Sequence, residues 1–285
     1  MSARPLYAIY GHHKCATMWL QGIARRVCRS LGLRFAIVYD EFQFEHDLPR
    51  YVAAHDVDFL LYGSADIRYA GALPPHRGVH IVRDPRDIVV SAYFSHLHSH
   101  STQDWKELVA HREKLQGLDK DRGLAEEISF RERSFRHIES WDYGQEHVLE
   151  IRFEDVVRSG YETMLAAFGH LGLVAEPEVY TRAGRLGFLA QDALNHLYAR
   201  SEGRLPLRHR ARQIPAPELL AIVWHHRFQR RAAGRSRGSE DVKSHYRKGQ
   251  PGDWANHFSD EHKALFKSLY PGLVPKLGYA ANDNW

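Results

Sequence analysis

The sequence predicts an α/β protein with a central, mainly parallel β-sheet flanked by helices. Short apolar runs alternate with longer stretches that have helical spacing of apolar residues, a pattern typical of βαβ units. Polar residues also follow directly after several predicted strands, where parallel sheets present their ligand sites. The predicted strands are residues 5–10, 34–39, 59–62, 79–82 and 147–153.

Helical patterns connect these strands. Asp84 and Pro85 open one of them, because Asp caps helix N-termini well and Pro is tolerated in the first turn. Residues 104–143 are rich in charged residues and helical in pattern. The predicted helices cover residues 19–28, 84–100, parts of 104–143, about 154–171, 176–199 and 217–231.

Composition and charge place the chain among globular proteins. Its 285 residues are 44% hydrophobic and 26% charged, and the net charge of +4 suits an anionic ligand as well as nucleic acid. Two cysteines give no disulfide framework, and no signal peptide or membrane-spanning stretch is found, so we expect a cytoplasmic protein. We expect one domain over residues 1–285, with a basic loop at about 232–258 as a C-terminal lid.

The loop after the first strand is the main candidate for chemistry. Residues 11–16 join a strand to a helix through a glycine, a geometry that directs free backbone N–H groups at an anion. Lys14 adds a positive charge and Thr17 a hydroxyl. The loop is not a Walker A motif, since it lacks a second glycine before a Lys-Ser/Thr pair. The sequence leaves open a phosphate-binding loop and an ordinary turn with an exposed lysine.

Two further stretches contain cations suited to a phosphate. Arg83 follows the fourth strand and Ser91 lies eight residues later, two turns into a helix. Residues 246–258 contain two adjacent cations, Arg247 and Lys248, next to two glycines. Each stretch also has an alternative that involves no phosphate. Arg83 would then pair with a nearby aspartate, and residues 246–258 would form a surface turn. Several polar residues follow the ends of predicted strands, so we expect them to converge at one edge of the sheet. They are Lys14, Asp40, residues 63–66 and Arg83.

Together, the three stretches resemble the motifs of sulfotransferases that use 3′-phosphoadenosine 5′-phosphosulfate (PAPS). Residues 13–20, His-Lys-Cys-Ala-Thr-Met-Trp-Leu, stand where the family has Pro-Lys-Ser-Gly-Thr-Thr-Trp-Leu. Residues 83–87 and Ser91 match Arg-Asn-Pro-Lys-Asp with its serine eight residues after the arginine. Residues 247–258 match Arg-Lys-Gly, two residues, then Gly-Asp-Trp-Lys-Asn-His-Phe. The resemblance implies a P-loop-like domain, PAPS as co-substrate, and sulfuryl transfer to a hydroxyl or amine.

The resemblance also implies a role for each matching residue. Lys14 would contact the 5′-phosphate and the bridging oxygen, and the backbone N–H groups of residues 15–19 would hold the phosphosulfate. Trp19 would stack on adenine. Phe153 stands where the family often has tyrosine, so packing near the nucleotide survives but a hydroxyl contact does not. Of the matching residues, those that would hold the 3′-phosphate are Arg83, Ser91, Arg247, Lys248 and Gly249. The other implied cofactor-binding residues are Cys15, Ala16, Thr17, Met18, Trp19 and Phe153.

The residue that serves as general base in the cytosolic branch of the family is not found at the same place in this sequence. That branch carries a histidine after the third strand, whereas residues 62–67 contain none. Other branches use a carboxylate after the second strand, so Asp40 or Glu41 is the predicted base, with Asp66 and His12 in reserve; an ordinary loop carboxylate is the alternative. The family glycine is replaced by Ala16, which we expect to avoid positive φ. The family's dimer motif is not matched, and the oligomeric state stays open.

Other interpretations of the sequence would require a metal ion or RNA as a partner. His96, His98 and His100 lie at a predicted helix end, where histidine is favoured electrostatically, and no metal is expected. A P-loop phosphotransferase would need Mg²⁺ and a Walker lysine. An RNA-binding module would use the arginine runs at 200–212 and 227–237, which we expect to be solvated surfaces instead. We expect residues 40–58 and 100–145 to shape the acceptor pocket. They do not identify the acceptor, which is a small molecule, a glycan or a lipid.

Overall fold

The computed structural model describes residues 5–103, 105–175 and 181–285. The chain forms two compact units, each discontinuous in sequence. The first unit comprises the described parts of residues 1–12, 16–81 and 142–227, and the second comprises those of 13–15, 82–141 and 228–285. One domain over residues 1–285 with a lid at 232–258 stays a prediction.

A five-stranded sheet forms the core of the first unit. Its strands are β1 (Leu6–Tyr10), β2 (Phe35–Val38), β3 (Phe59–Tyr62), β4 (His76–Val82) and β5 (Val148–Arg152), in the order β2-β3-β1-β4-β5. β1 runs parallel to β3 and β4, and β2 runs parallel to β3, with Tyr7 opposite Phe59. β3 is buried along its whole length, as expected of a parallel strand covered on both faces. The predicted α/β class with a mainly parallel sheet is confirmed.

Helices follow most strands. In chain order they are α1 (Thr17–Leu31), α2 (Leu48–Ala54), α3 (Ile67–Ala70), α4 (Pro85–His98), α5 (Lys106–Gln116), α6 (Lys120–Phe130), α7 (Glu132–Ser140), α8 (Phe153–Arg158), α9 (Gly160–His170), α10 (Arg182–Arg200), α11 (Ala216–His225), α12 (Phe228–Arg231), α13 (Asp260–Leu269) and α14 (Leu273–Lys276). Two 3₁₀ helices cover Glu41–Phe44 and Asp253–Asn256, and a short parallel ladder pairs β6 (Val174–Ala175) with β7 (Ile214–Pro215).

Local sequence signals explain where the main helices begin and end. The Asp84 carboxylate accepts the backbone N–H of Arg86, and Pro85 occupies the first turn, so α4 begins as predicted. Gly32 ends α1 in the left-handed conformation, with φ 64°. The predicted strand at 147–153 is one residue too long at each end, because Phe153 starts α8 instead. Residues 176–180 of the predicted helix at 176–199 lie outside the described residues.

The arginine runs are partly structural rather than fully solvated. In the first unit, the buried Asp58 accepts hydrogen bonds from Arg210 at 2.5 Å and lies 3.5 Å from Arg208. In the second unit, Arg235 donates to the backbone carbonyls of Ser239, Tyr246 and Arg247. Our expectation of purely solvated charge runs was therefore wrong for these three arginines, whose charge or donors serve the fold.

Across the described ranges, none of the helices combines the length and apolar character needed to cross a membrane. Within the described part of the chain, Cys15 and Cys28 are both buried and form no disulfide.

Candidate functional site

The loop between β1 and α1 holds two residues in the left-handed conformation. Its residues 11, 12 and 16 belong to the first unit and residues 13–15 to the second. Lys14 has φ 70° and Ala16 has φ 59°, so the expectation that Ala16 avoids positive φ was wrong. An L-residue in this region costs about 1–2 kcal/mol, and such strain concentrates at functional sites. An alanine therefore adopts here a backbone conformation that glycine normally favours.

The start of α1 is fixed within the first unit. The Thr17 hydroxyl donates to the carbonyl of His12 at 3.0 Å, and the backbone N–H of Trp19 donates to the carbonyl of Ala16 at 2.9 Å. The Trp19 indole N–H donates to the carbonyl of His226 at 2.8 Å, which orients the half-buried ring. Met18 is exposed. The backbone N–H of Trp19 therefore already has a partner.

Lys14 and Arg83 lie together in the second unit. The Arg83 guanidinium donates through Nη1 to the carbonyl of Lys14 at 3.1 Å, and this arginine is buried. Lys14 is half-buried, yet protein surrounds its ammonium closely enough that burial, followed by the charges of Arg83 and Arg131, lowers its pKa to about 7. The charge of Arg247 contributes in the same direction. The structure thus gathers several cations around the lysine.

Asp87 joins the second predicted stretch to the third. It is buried on α4, one turn after Arg83, with its Oδ2 3.9 Å from Nη2 of that arginine. Its carboxylate accepts the backbone N–H groups of Gly252 at 2.7 Å and Trp254 at 2.9 Å. Ser91 lies one turn further along α4 and is half-buried. The two stretches are therefore held together by a buried carboxylate.

Asp253 neutralises both cations of the third stretch. Arg247 donates to its Oδ2 at 2.5 Å, and the Lys248 ammonium donates to its Oδ1. Burial would raise the pKa of Asp253, but hydrogen bonds from Lys248, Asn256 and Arg247 hold it well below its usual range. The Arg247 guanidinium also lies 4.7 Å from the Phe94 ring centroid. A phosphate at these cations would have to share them with a carboxylate.

Gly249 permits the close turn between these cations. Its φ is 64°, and a Cβ atom there would lie 2.4 Å from the Phe228 ring. Glycine is therefore required both by its backbone conformation and by the adjacent ring.

Comparison with known proteins gives a family match for part of the chain. Residues 67–177 match the model of the sulfotransferase family. The fold resembles that of mouse sulfotransferase SULT7A1 complexed with PAP, with a TM-score of 0.53 and 15% identity over 96% of this chain and 86% of that one. Retinol dehydratase in complex with androsterone and inactive cofactor PAP gives a TM-score of 0.49 and 14% identity over 96% and 82%.

No curated protein sequence matches the chain. At 15% identity the structural likeness shows the fold alone, and the family match supplies the sulfotransferase assignment. The predicted sulfotransferase family and enzyme class are confirmed at this level. The roles of individual residues stay predictions.

The predicted bases lie in the first unit and have structural partners. Asp40 caps the 3₁₀ helix that contains Glu41, accepting the backbone N–H groups of residues 42 and 43 at 3.0 and 3.2 Å. The reserve candidate Asp66 caps α3 and pairs with Arg68 at 2.5 Å. His12 is buried against His80, with 2.8 Å between their Nε2 atoms. Of the two predicted bases, Asp40 thus already has a local structural role.

His80 continues this hydrogen-bonded chain, with its Nδ1 2.6 Å from Oε2 of Glu150. Burial lowers the pKa of His80 to about 3, so this imidazole is neutral at physiological pH. Phe153 follows β5 as the first residue of α8 and is half-buried.

The sequence did not identify a buried charged cluster in the second unit. Glu127, on α6, accepts hydrogen bonds from His96 Nδ1 at 2.9 Å and His111 Nε2 at 2.8 Å, and its other oxygen lies 2.9 Å from Arg131 Nε. Burial would raise the pKa of Glu127, but His96, Arg131 and His111 lower it to about 2. His98, which lies at the same helix end as His96, is exposed. The i,i+4 spacing of Glu127 and Arg131 was the available sequence signal.

Proposed function

We propose that the chain transfers the sulfuryl group of PAPS to a hydroxyl or amine of an acceptor. The observation that carries this proposal is the gathering of Lys14, Arg83 and Arg247 in the second unit. Cations that crowd one another are costly unless an anion balances them, and a doubly phosphorylated adenylate supplies that charge. The PAP ligand named for the mouse sulfotransferase agrees with this choice.

Lys14 is suited to stabilise the leaving group. Sulfuryl transfer breaks the bond between sulfur and the bridging oxygen, and by analogy with phosphoryl transfer negative charge builds on that oxygen. A fixed ammonium at this point stabilises the transition state more than the ground state. The bound anion would also raise the pKa of Lys14 from about 7 and keep it protonated.

The 3′-phosphate is proposed to be held by residues of the second and third stretches, namely Arg83, Ser91, Arg247, Lys248 and Gly249. Asp87 supports this assignment, because its hydrogen bonds join the segment of Arg83 to the segment that follows Gly249. Asp253 would hold Arg247 and Lys248 in position until the phosphate arrives. The phosphosulfate contacts of residues 15–19, the stacking of Trp19 and the packing of Phe153 are retained as predictions.

Asp40 or Glu41 is retained as the proposed base, and transfer by this scheme requires no metal. Asp40 already accepts two backbone N–H groups, and the choice between the two carboxylates stays open. The acceptor class stays open among small molecules, glycans and lipids. A cytoplasmic location also stays a prediction.

Isothermal titration calorimetry separates this proposal from its alternatives. The intact chain is titrated with PAP, with ATP plus Mg²⁺, and with a short RNA, and we expect PAP alone to bind tightly, with or without EDTA. Preference for ATP with Mg²⁺ would instead support a phosphotransferase, and preference for RNA a binding module. The pairing of Asp58 with Arg208 and Arg210 argues against RNA, because part of that basic run is already neutralised. An acceptor screen with ³⁵S-labelled PAPS then identifies the substrate class.

A further inference from the structure

His13 occupies the position at which the sulfotransferase motif has proline, immediately before Lys14. In the second unit, its half-buried ring is packed among other rings. The ring centroid lies 5.1 Å from that of His96, 5.0 Å from that of His100 and 5.6 Å from that of Trp105. Unlike proline, this side chain offers a hydrogen-bond donor or acceptor next to the lysine.

Arg131 determines which nitrogen of His13 carries the proton. Arg131 Nη1 lies 2.8 Å from His13 Nδ1. A guanidinium has only donors, so the Nδ1 of His13 must be the acceptor and carries no hydrogen. Burial, followed by the charge of Arg131, lowers the pKa of His13 well below its usual value, so the ring is neutral. The single proton of the neutral ring is therefore on Nε2.

The Nε2 nitrogen of His13 is buried. Among the described residues, this nitrogen is buried without a hydrogen-bond partner. Leaving a buried donor unsatisfied costs about 1–3 kcal/mol, so its presence calls for a function. Its neighbour in the chain is Lys14, whose charge contributes to lowering the pKa of His13.

The groups that hold Arg131 beside His13 are buried. Arg131 is held by Glu127, which is itself held by His96 and His111. The Arg131 guanidinium also lies 5.1 Å from the centroid of the Phe130 ring. Such a support leaves the imidazole little freedom to exchange its tautomer, because protonating Nδ1 would place two donors against each other.

We infer that His13 is a catalytic hydrogen-bond donor whose Nε2–H binds a non-bridging sulfuryl oxygen of PAPS. This inference rests on the proposed function. During transfer the sulfur–oxygen bond to the 5′-phosphate breaks and its electron pair stays on the phosphate oxygen. The acceptor oxygen or nitrogen forms the new bond to sulfur and loses its proton to the base. His13 keeps its own proton throughout and shares the charge of the sulfuryl oxygens with Lys14.

The test compares two ligands that differ only in the sulfuryl group. We measure the Kd of PAPS and of PAP for the wild type, for H13A, and for H13Q, which retains an N–H donor and an oxygen to accept from Arg131. H13A should weaken PAPS about 10- to 100-fold and PAP less than about 3-fold. H13Q should recover most of the PAPS affinity. H98A, an exposed histidine near the end of α4, is the matched control and should change neither ligand.

Two outcomes overturn the inference. Equal loss of PAP and PAPS affinity in H13A would show that His13 only maintains the loop, and unchanged PAPS affinity would show that it binds no sulfuryl oxygen. Failure of the wild type to bind PAP at all would instead refute the proposed function, which separates the two failures.

Nitrogen-15 NMR of the imidazoles gives a readout that is independent of binding. The signals missing from the H13Q spectrum belong to His13 and should show a protonated Nε2 and an unprotonated Nδ1 at pH 7. A protonated Nδ1 would overturn the inference even if H13A failed to fold.

Discussion

The Asp87 carboxylate accepts the backbone N–H of Gly252 at 2.7 Å, although the two residues are 165 positions apart in sequence. This hydrogen bond, with that from Trp254, connects two of the three stretches that resemble the family motifs. A buried carboxylate therefore helps to hold the Arg83 segment against the segment that follows Gly249.

D87A is expected to destabilise the protein and to weaken PAP binding. It leaves two N–H groups without their charged acceptor, at a cost of about 3 kcal/mol in the free energy of unfolding. The PAP affinity should fall about 10-fold as the segment after Gly249 loosens. Urea unfolding and calorimetry measure both effects. D260A, at the exposed start of α13, is the control and should change unfolding by less than about 0.5 kcal/mol. Full PAP affinity in folded D87A would contradict the assignment.

The double variant R247A/K248A tests the 3′-phosphate site. We expect the Kd of PAP to rise about 100-fold or more, because two charge-assisted contacts are lost, while adenosine 5′-phosphate, which lacks the 3′-phosphate, is bound as before. K243A, an exposed lysine of the same basic loop, is the control. The substitution also removes two partners of Asp253, so thermal unfolding is recorded in parallel. An equal loss for both nucleotides would place the 3′-phosphate elsewhere.

Substituting Ala16 by glycine should stabilise the protein. At φ 59° the alanine Cβ is strained, and removing it recovers up to about 1 kcal/mol after the entropy cost of glycine is subtracted. A193G, at an exposed position within α10, should instead destabilise by about 1 kcal/mol. Chemical denaturation of both variants measures whether the free energy of unfolding rises or falls in each. A loss of stability in A16G would show that the left-handed conformation is not strained.

The strands and the first cations could be predicted because their signals are local. The apolar run at 59–62 and the Asp84-Pro85 helix start depend on neighbouring residues, and the structure has both. The positive φ of Ala16 could not be predicted, because alanine normally avoids that region and only the surrounding loop imposes it.

The buried cluster was missed for a different reason. Glu127 and Arg131 sit in a strongly charged stretch, and an i,i+4 pair of this kind usually lies on a solvated helix face. Their burial depends on rings from α4, α5 and the segment between them, which no local pattern encodes. The proton position on His13 depends in turn on Arg131, 118 residues away in sequence.

PAP binding should be accompanied by proton uptake at Lys14. Its pKa of about 7 leaves most of the ammonium deprotonated at pH 8, and a bound phosphate restores the proton. Calorimetry at pH 8 in buffers of different ionisation enthalpy should therefore detect uptake of up to about one proton per site, which K14M should abolish. Equal heats in both buffers for the wild type would contradict the lowered pKa.

The same shift has a consequence for stability without ligand. Because the folded pKa of Lys14 lies below its usual value of 10.5, the native state binds fewer protons than the unfolded state between about pH 7 and 10.5. The contribution of Lys14 to the free energy of unfolding therefore rises with pH across this window, and its penalty is fully present below about pH 7. Denaturation of wild type and K14M at pH 6 and 9 should show K14M more stable at pH 6, with the difference shrinking at pH 9. A difference that is independent of pH would mean that Lys14 keeps its ordinary pKa in the folded protein.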